Sequence, residues 1–173
     1  GLALSGVAGV EVVRFLTMEK SESHTLSTAV TQFFVYDAMR IGSTWARRRH
    51  DADCGRWSDV QAELLRSRLA VNANTAYGCD HGFSSMLASD NVVAAFRSSH
   101  PLTTPSHYKA YTDRIANGEP NVMNSEPEAM LAATSGTSGT RNLLPYTPTM
   151  RKEFFLKGIL VVFDTLLRSC PEA

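Results

Sequence analysis

The sequence predicts an α/β chain that is helix-rich over these 173 residues. Three observations predict it. Apolar residues recur three and four apart in several separate stretches, the mark of helices with one packed face. One short apolar segment, Met130-Leu131-Ala132-Ala133, reads as a strand and runs into a loop of Ser, Thr and Gly. The composition is that of a soluble globular protein, with 43% hydrophobic and 20% charged residues and 17 Lys+Arg against 17 Asp+Glu. That balance excludes an acidic disordered tail, a collagen-like fibre and a histone-like basic protein. It gives no electrostatic reason to expect nucleic acid or an acidic membrane as partner. A chain of this length buries about 70% of its surface and forms one domain, or a domain with an extension.

Residues 1–56 read as a helical N-terminal extension without a chemical signature. Leu26, Val30, Phe33 and Phe34 recur at helical spacing, and Ile41 and Trp45 extend that face. Arg47-Arg48-Arg49-His50 follows, and a solvated helix end suits cations there, although such a run also serves as an address or anion patch. His50 to Arg56, with Asp51, Asp53 and Gly55, is the best linker candidate. Residues 57–173 then form a domain that the sequence leaves incomplete. Ser58 with Gln61 has the spacing of a capping box, and Val60, Leu64, Leu65 and Leu69 make one face. Asn72 to Gly78 ends that helix in turn residues. His100-Pro101 predicts an extended entry to a strand. Thr104 and Pro105 open the next helix, with Tyr108, Tyr111 and Ile115 on one side and Gly118 as C-terminal cap.

Thr147-Pro148 repeats the start signal. After it, Phe155, Ile159, Val162 and Leu166 form one stripe, and Leu156, Leu160, Phe163 and Leu167 the next. Two adjacent stripes predict a helix buried over most of its circumference, hence a large partner surface. Few strands are at hand to supply it, so the sequence reads as an N-terminal piece of something longer; Gly rather than Met opens the chain, which leaves room for a segment upstream as well.

Cys54, Cys79 and Cys170 form no CxxC pair and read as buried or half-buried free thiols. His24, His50, His81, His100 and His107 show no HxH, HxxxH or HExxH spacing, so no metal site is assigned. Residues 1–16 lack a basic n-region and carry Glu11 and Arg14, and no later stretch approaches a membrane span of about 20 residues. A cytoplasmic protein is expected.

Chemistry concentrates in one segment, Thr134-Ser135-Gly136-Thr137-Ser138-Gly139-Thr140-Arg141-Asn142. Small residues let backbone N–H groups converge on an anion, and Ser and Thr hydroxyls add donors. With the strand before it and a helix after it, the layout suits phosphate. Other glycine motifs fail on spacing. Counting from Gly136, a Walker loop would need Gly where Arg141 stands and Lys where Asn142 stands, a dinucleotide loop needs glycines at offsets 0, 2 and 5, and a nucleophile elbow misses by one residue. A plain surface loop is the other reading of such a run.

The string Thr-Ser-Gly-Thr-Ser-Gly followed by Leu-Leu-Pro resembles the phosphate-binding motif of adenylate-forming ligases. It is most similar to the Gretchen Hagen 3 acid–amido synthetase family, in particular its animal members. Asn72 to Gly78 with His81-Gly82-Phe83, and Pro101 to Pro120 with Tyr108, Tyr111, Arg114-Ile115-Ala116 and Gly118-Glu119, extend the resemblance over residues 58–168. The resemblance implies the N-terminal part of an adenylate-forming ligase-like large domain. It implies a carboxylic acid and an amino acid as substrates, with ATP and Mg²⁺, and an acyl-adenylate intermediate captured as an amide. By the same resemblance Ser135, Gly136, Thr137 and Ser138 hold phosphates, with Thr134, Gly139, Thr140 and Arg141 shaping or supplementing the loop. Tyr108 and Tyr111 line an acyl pocket or pack a helix face, and His81 sits in a turn or takes part in catalysis. Asn142 stands where the family carries Lys, and Arg is not a spatial replacement for it. A catalytically degenerate member acting as a binding or scaffolding module is the alternative.

Overall fold

In a computed structural model the described residues are 10, 12–18, 21–133 and 142–170. They form α1 (Leu26–Gly55), α2 (Trp57–Asn72), α3 (Ala76–Asp80), α4 (Phe83–Leu87), α5 (Val92–Ser99), α6 (Pro105–Ala116), β1 (Met130–Ala133), β2 (Leu143–Tyr146), α7 (Pro148–Glu153), a π-helical segment (Phe154–Ile159) and α8 (Leu160–Ser169). A helical stretch at residues 12–17 precedes them. Helix predominates, as expected, with a single two-stranded sheet among the described residues. The chain divides into two compact units, residues 1–49 with 157–173, and residues 50–156.

The first unit pairs the N-terminal part of α1 with α8. The buried α1 residues are small, Ala29, Ser43 and Ala46, which lets a second helix approach closely. A Cβ at Gly42 would meet the Leu160 side chain at 3.6 Å. The Phe163 ring meets Tyr36 edge-on at 6.4 Å, and the buried Asp164 carboxylate binds Arg168 at 2.6 Å. Helical spacing located α1; of the expected face Val30 and Phe33 are half-buried, Phe33 meeting Phe15 edge-on at 5.5 Å, whereas Leu26, Phe34, Ile41 and Trp45 are exposed. The small residues between the large ones make the contact. In α8, likewise, Leu160 and Asp164 are buried while Val162 and Leu166 are more than half exposed. This corrects the expectation of burial around most of its circumference: one stripe packs and the other faces outward.

The second unit holds the larger core: Leu69, Tyr77, Phe83, Met86 and Val92, with Leu65, Phe96, Tyr108, Tyr111 and Met123 against them. Helix α2 packs on α4 and α5, and β2 lies against α6. The proposed linker is helix up to Gly55, broken only by a turn at Arg56. No proline and only one glycine occur in 50–56, so nothing stops α1 earlier. The capping box does not form. Helix α2 starts at Trp57, and Arg56 offers no side-chain cap, because the end of α1 already holds Arg56 in a turn accepting from the Asp59 and Val60 amides at 3.0 and 3.1 Å.

Other boundary signals hold. Gly118 takes φ +84°, and its N–H donates to the Ile115 carbonyl at 2.9 Å while the Glu119 N–H reaches Arg114 at 3.1 Å. These are the two bonds of a Schellman ending, which needs a left-handed residue at that place. Thr147 accepts from the Met150 N–H at 3.2 Å with Pro148 in the first turn of α7. His100 is extended, but Pro101–Thr104 leads into α6 rather than a strand, since Thr104 and Pro105 start a helix at once. All three cysteines are exposed and free, not buried as expected.

Candidate functional site

Thr134, Ser135, Gly136, Thr137, Ser138, Gly139, Thr140 and Arg141 lie outside the described residues; their anchorage does not. Strands β1 and β2 pair antiparallel, with Met130 opposite Tyr146 and Ala133 opposite Leu143. The segment therefore joins the two ends of one hairpin, and the layout is strand, loop, strand rather than strand, loop, helix. Pro145 explains the difference. It disfavours the helical region for Leu144, so the chain stays extended until Thr147. A helix N-terminus thus does not follow the segment directly.

The hairpin is footed by charge and capping. The Thr149 N–H donates to both Glu126 carboxylate oxygens at 3.2 Å. Burial pushes the Glu126 carboxyl up, but bonds from Thr147 and Thr149 and the charge of Arg68 outweigh it and hold it below the ordinary range. Arg68 of α2 pairs with Glu153 of α7.

The second resemblance segment, Asn72 to Gly78, is a tight corner. The Asn72 carbonyl ends α2 and accepts from both the N–H and the Oγ1–H of Thr75, at 3.1 and 2.8 Å. Buried Thr75 caps α3 by accepting from the Gly78 N–H at 3.0 Å. The next two amides, of Ala76 and Tyr77, donate to the carbonyls of Asn121 and Val122, both at 2.9 Å. A Cβ at Gly78 would stand 2.1 Å from the Asn72 oxygen, so only glycine fits.

That corner delivers Tyr77 into a group of aromatic and imidazole rings. Its hydroxyl lies 2.8 Å from His100 Nε2 and 3.1 Å from His107 Nε2. His81 completes the set, 4.2 Å from the Tyr77 ring, 5.2 Å from His100 and 5.1 Å from His107, centroid to centroid. Tyr108 and Tyr111 pack on Tyr77 at 5.7 and 5.0 Å. Their hydroxyls are engaged elsewhere, Tyr108 with Thr103 Oγ1 at 2.7 Å and Tyr111 donating to Asp80 Oδ2 at 2.8 Å.

Hydrogen-bond logic assigns the protons. His100 Nδ1 lies 2.9 Å from the Pro101 carbonyl, which can only accept. That contact places a proton on His100 Nδ1, and the tautomer bearing it there leaves Nε2 to accept from the Tyr77 hydroxyl. The phenol has one proton to give, so His107 Nε2–H donates to the phenol oxygen. A single direction runs through the chain: His107 to Tyr77 to His100 to Pro101. Burial, then Tyr108 and Tyr111, push the Tyr77 phenol up, so it stays protonated and is no base. Burial, then the charges of His100 and His107, push His81 down, while Asp80 opposes them.

His81, Tyr108 and Tyr111 thus converge, as a packed polar core with α6 as its outer wall and β2 on α6. Sequence spacing missed Tyr77, His100 and His107 as a group, because they meet only through the fold. The position of His100 directly before Pro101 was the one available signal. Among the described residues no three His, Cys, Asp or Glu side chains are placed to hold a metal ion. No helix among them is long and apolar enough to cross a membrane.

The profile of the GH3 family N-terminal domain matches residues 46–168. The chain is 34% identical over 110 residues to a rice (Oryza sativa subsp. japonica) protein named probable indole-3-acetic acid-amido synthetase GH3.13, covering 59% of this chain and 23% of that protein. It is 34% identical over 97 residues to rice jasmonoyl–L-amino acid synthetase GH3.3, covering 55% and 20%. It is 35% identical over 91 residues to Arabidopsis thaliana indole-3-acetic acid-amido synthetase GH3.15, covering 51% and 14%. The chain thus spans less than a quarter of the length of each of these relatives. A match over most of its residues, including the Asn72–Gly78 corner, the Tyr77 cluster and the hairpin, shows that the chain belongs to the GH3 family.

Proposed function

We propose that this chain contributes the phosphate-binding loop of an ATP-dependent acid–amino acid ligase. The observation that carries the reading is the Thr134–Arg141 string strung between paired β1 and β2 in a GH3 domain. In the first step an acid's carboxylate oxygen attacks the α-phosphorus of ATP. The bond to the bridging oxygen breaks and pyrophosphate leaves. The amine of an amino acid then attacks the acyl carbon, and AMP departs with the former carboxylate oxygen. No general base is needed for the first step, since a carboxylate is ionised at neutral pH. Prepositioned amides and the hydroxyls of Ser135, Thr137 and Ser138 would meet the charge on the phosphates. Magnesium commonly serves such steps, and Arg141 would add a cation to the segment's neutral donors. The Tyr77 cluster supports the hairpin through α6.

ATP–pyrophosphate exchange in the full-length protein tests the reading. Ser135→Ala with Thr137→Ala should lower exchange roughly 100-fold or more, and unchanged exchange rejects the assignment. The 173-residue chain alone should make no amide. Asn142 favours a second reading, a binding or scaffolding module in the same fold. A charge-assisted phosphate contact is worth about 1.5–3 kcal/mol. Asn142→Lys should therefore tighten nucleotide binding at least about tenfold, by titration with ATP, if the site is otherwise intact. No gain supports the module.

A further inference from the structure

Proline follows a hydroxyl residue at two places in the sequence, Thr104-Pro105 and Thr147-Pro148. The fold treats the two oppositely. Thr147 is 4% exposed, and its hydroxyl is spent on capping α7, where it accepts from the Met150 N–H at 3.2 Å. Thr104 is exposed at the end of a stretch, Pro101–Thr104, that is neither helix nor strand. Its backbone is extended, at φ −115° and ψ 166°, and its side chain makes no capping bond to α6. The Oγ1 contact it does make, to Ser106 Oγ at 2.8 Å, is itself exposed. Leu102, two residues before it, projects wholly into solvent. Thr103 is half-buried and lies 2.7 Å from the Tyr108 hydroxyl, so the stretch presents one accessible threonine, and that one precedes proline.

We propose that Thr104 is a phosphorylation site for a proline-directed protein kinase. The Thr104 hydroxyl oxygen attacks the γ-phosphorus of the kinase's ATP, ADP leaves, and the hydroxyl proton passes to the kinase's catalytic carboxylate. A kinase cleft takes its substrate extended, and the residues up to Thr104 already are. Pro105 fixes the next φ and has no N–H to be stripped of a partner. Entry opens the first turn of α6, where the His107 N–H donates to the Thr104 carbonyl at 3.0 Å, and helix ends open at little cost. The product then acts on the same turn. A phosphate brings about two negative charges to the positive end of the helix, within reach of the Ser106 and His107 amides. No acidic side chain in the first turn of α6 repels it. Phosphorylation thereby tightens the start of the helix whose His107, Tyr108 and Tyr111 rings pack against Tyr77.

The test incubates the full chain, and synthetic peptides of residues 99–109 and 142–152, with a mitogen-activated protein kinase and ATP. Phosphate is mapped by mass spectrometry. Both peptides should react, since each carries Thr-Pro. In the folded chain Thr104 should react within about tenfold of its peptide rate, and Thr147 at least about 100-fold more slowly than its own peptide. Thr104→Ala should remove the phosphate and Thr104→Ser keep it. The side chain is exposed, and unchanged circular dichroism confirms the fold of both variants. In the phosphorylated chain the Ser106 and His107 amide protons should move downfield, as donors to an anion do. A folded chain spared at Thr104 while its peptide reacts, comparable rates at Thr147 and Thr104, or unmoved α6 amides overturns the proposal. So does a residue 99–109 peptide that the kinase leaves unmodified.

Discussion

Replacing Tyr77 by Phe removes one oxygen and leaves the ring. The ring contacts to Phe83, Tyr108 and Tyr111 survive, so the change isolates the hydroxyl. Two hydrogen bonds are lost, each worth about 0.5–1.5 kcal/mol net, and two imidazole nitrogens lose their partner. Tyr77 is only 6% exposed, but His100 and His107 are half-buried, so water recovers part of the loss. A cost of about 2–3 kcal/mol follows. A global melt would mix the two units, so amide exchange at Leu69 and Met86, in the core of residues 50–156, is the better reading. Exchange there should quicken about 30- to 150-fold, at 1.4 kcal/mol per factor of ten. Long-range proton–nitrogen spectra of the unmodified chain should show His100 protonated at Nδ1 and His107 at Nε2. A rate change below about threefold, or the opposite tautomers, would refute the directed chain.

The same cluster gives a pH dependence. His81 is pushed below its ordinary value of 6.5 in the fold, so the unfolded chain binds more protons there. Its contribution is fully present above about pH 6.5 and is lost as the pH falls from there toward the folded value. Urea unfolding of the second unit should show a lower midpoint at pH 5.5 than at pH 7.5, with a smaller difference in His81→Gln; a higher midpoint at pH 5.5 would contradict the sign. Gly78→Ala drives a Cβ into the Asn72 carbonyl and should cost more than about 3 kcal/mol, read in the same unfolding experiment.

Local chemistry was the most legible part of this fold. Thr147-Pro148, Thr104-Pro105 and Gly118 marked helix ends because their effects act within one turn of chain. The packed faces of α1 and α8 were not legible. A count of apolar residues favours Phe, Ile and Trp, whereas close helix approach selects Ala29, Ser43 and Ala46, and only the partner helix decides between them. The Ser/Thr/Gly string announced itself by composition, yet its setting was misread, because Leu-Leu-Pro-Tyr is apolar enough for either element and Pro145 settles it. The Tyr77 cluster draws its members from three segments, and no spacing rule reaches across them.

The hairpin has a counting property that matters for anyone altering its length. On its two faces, Leu131, Ala133, Leu143 and Pro145 lie on one side and Met130, Ala132, Leu144 and Tyr146 on the other. An inserted residue in either strand changes odd to even and exchanges those sides from that point on. An insertion anywhere in 134–142 leaves the parity intact, since Ala133 and Leu143 still meet as partners. A change in the number of residues between the strands therefore keeps the two faces as they are, whereas one within a strand turns the ladder over.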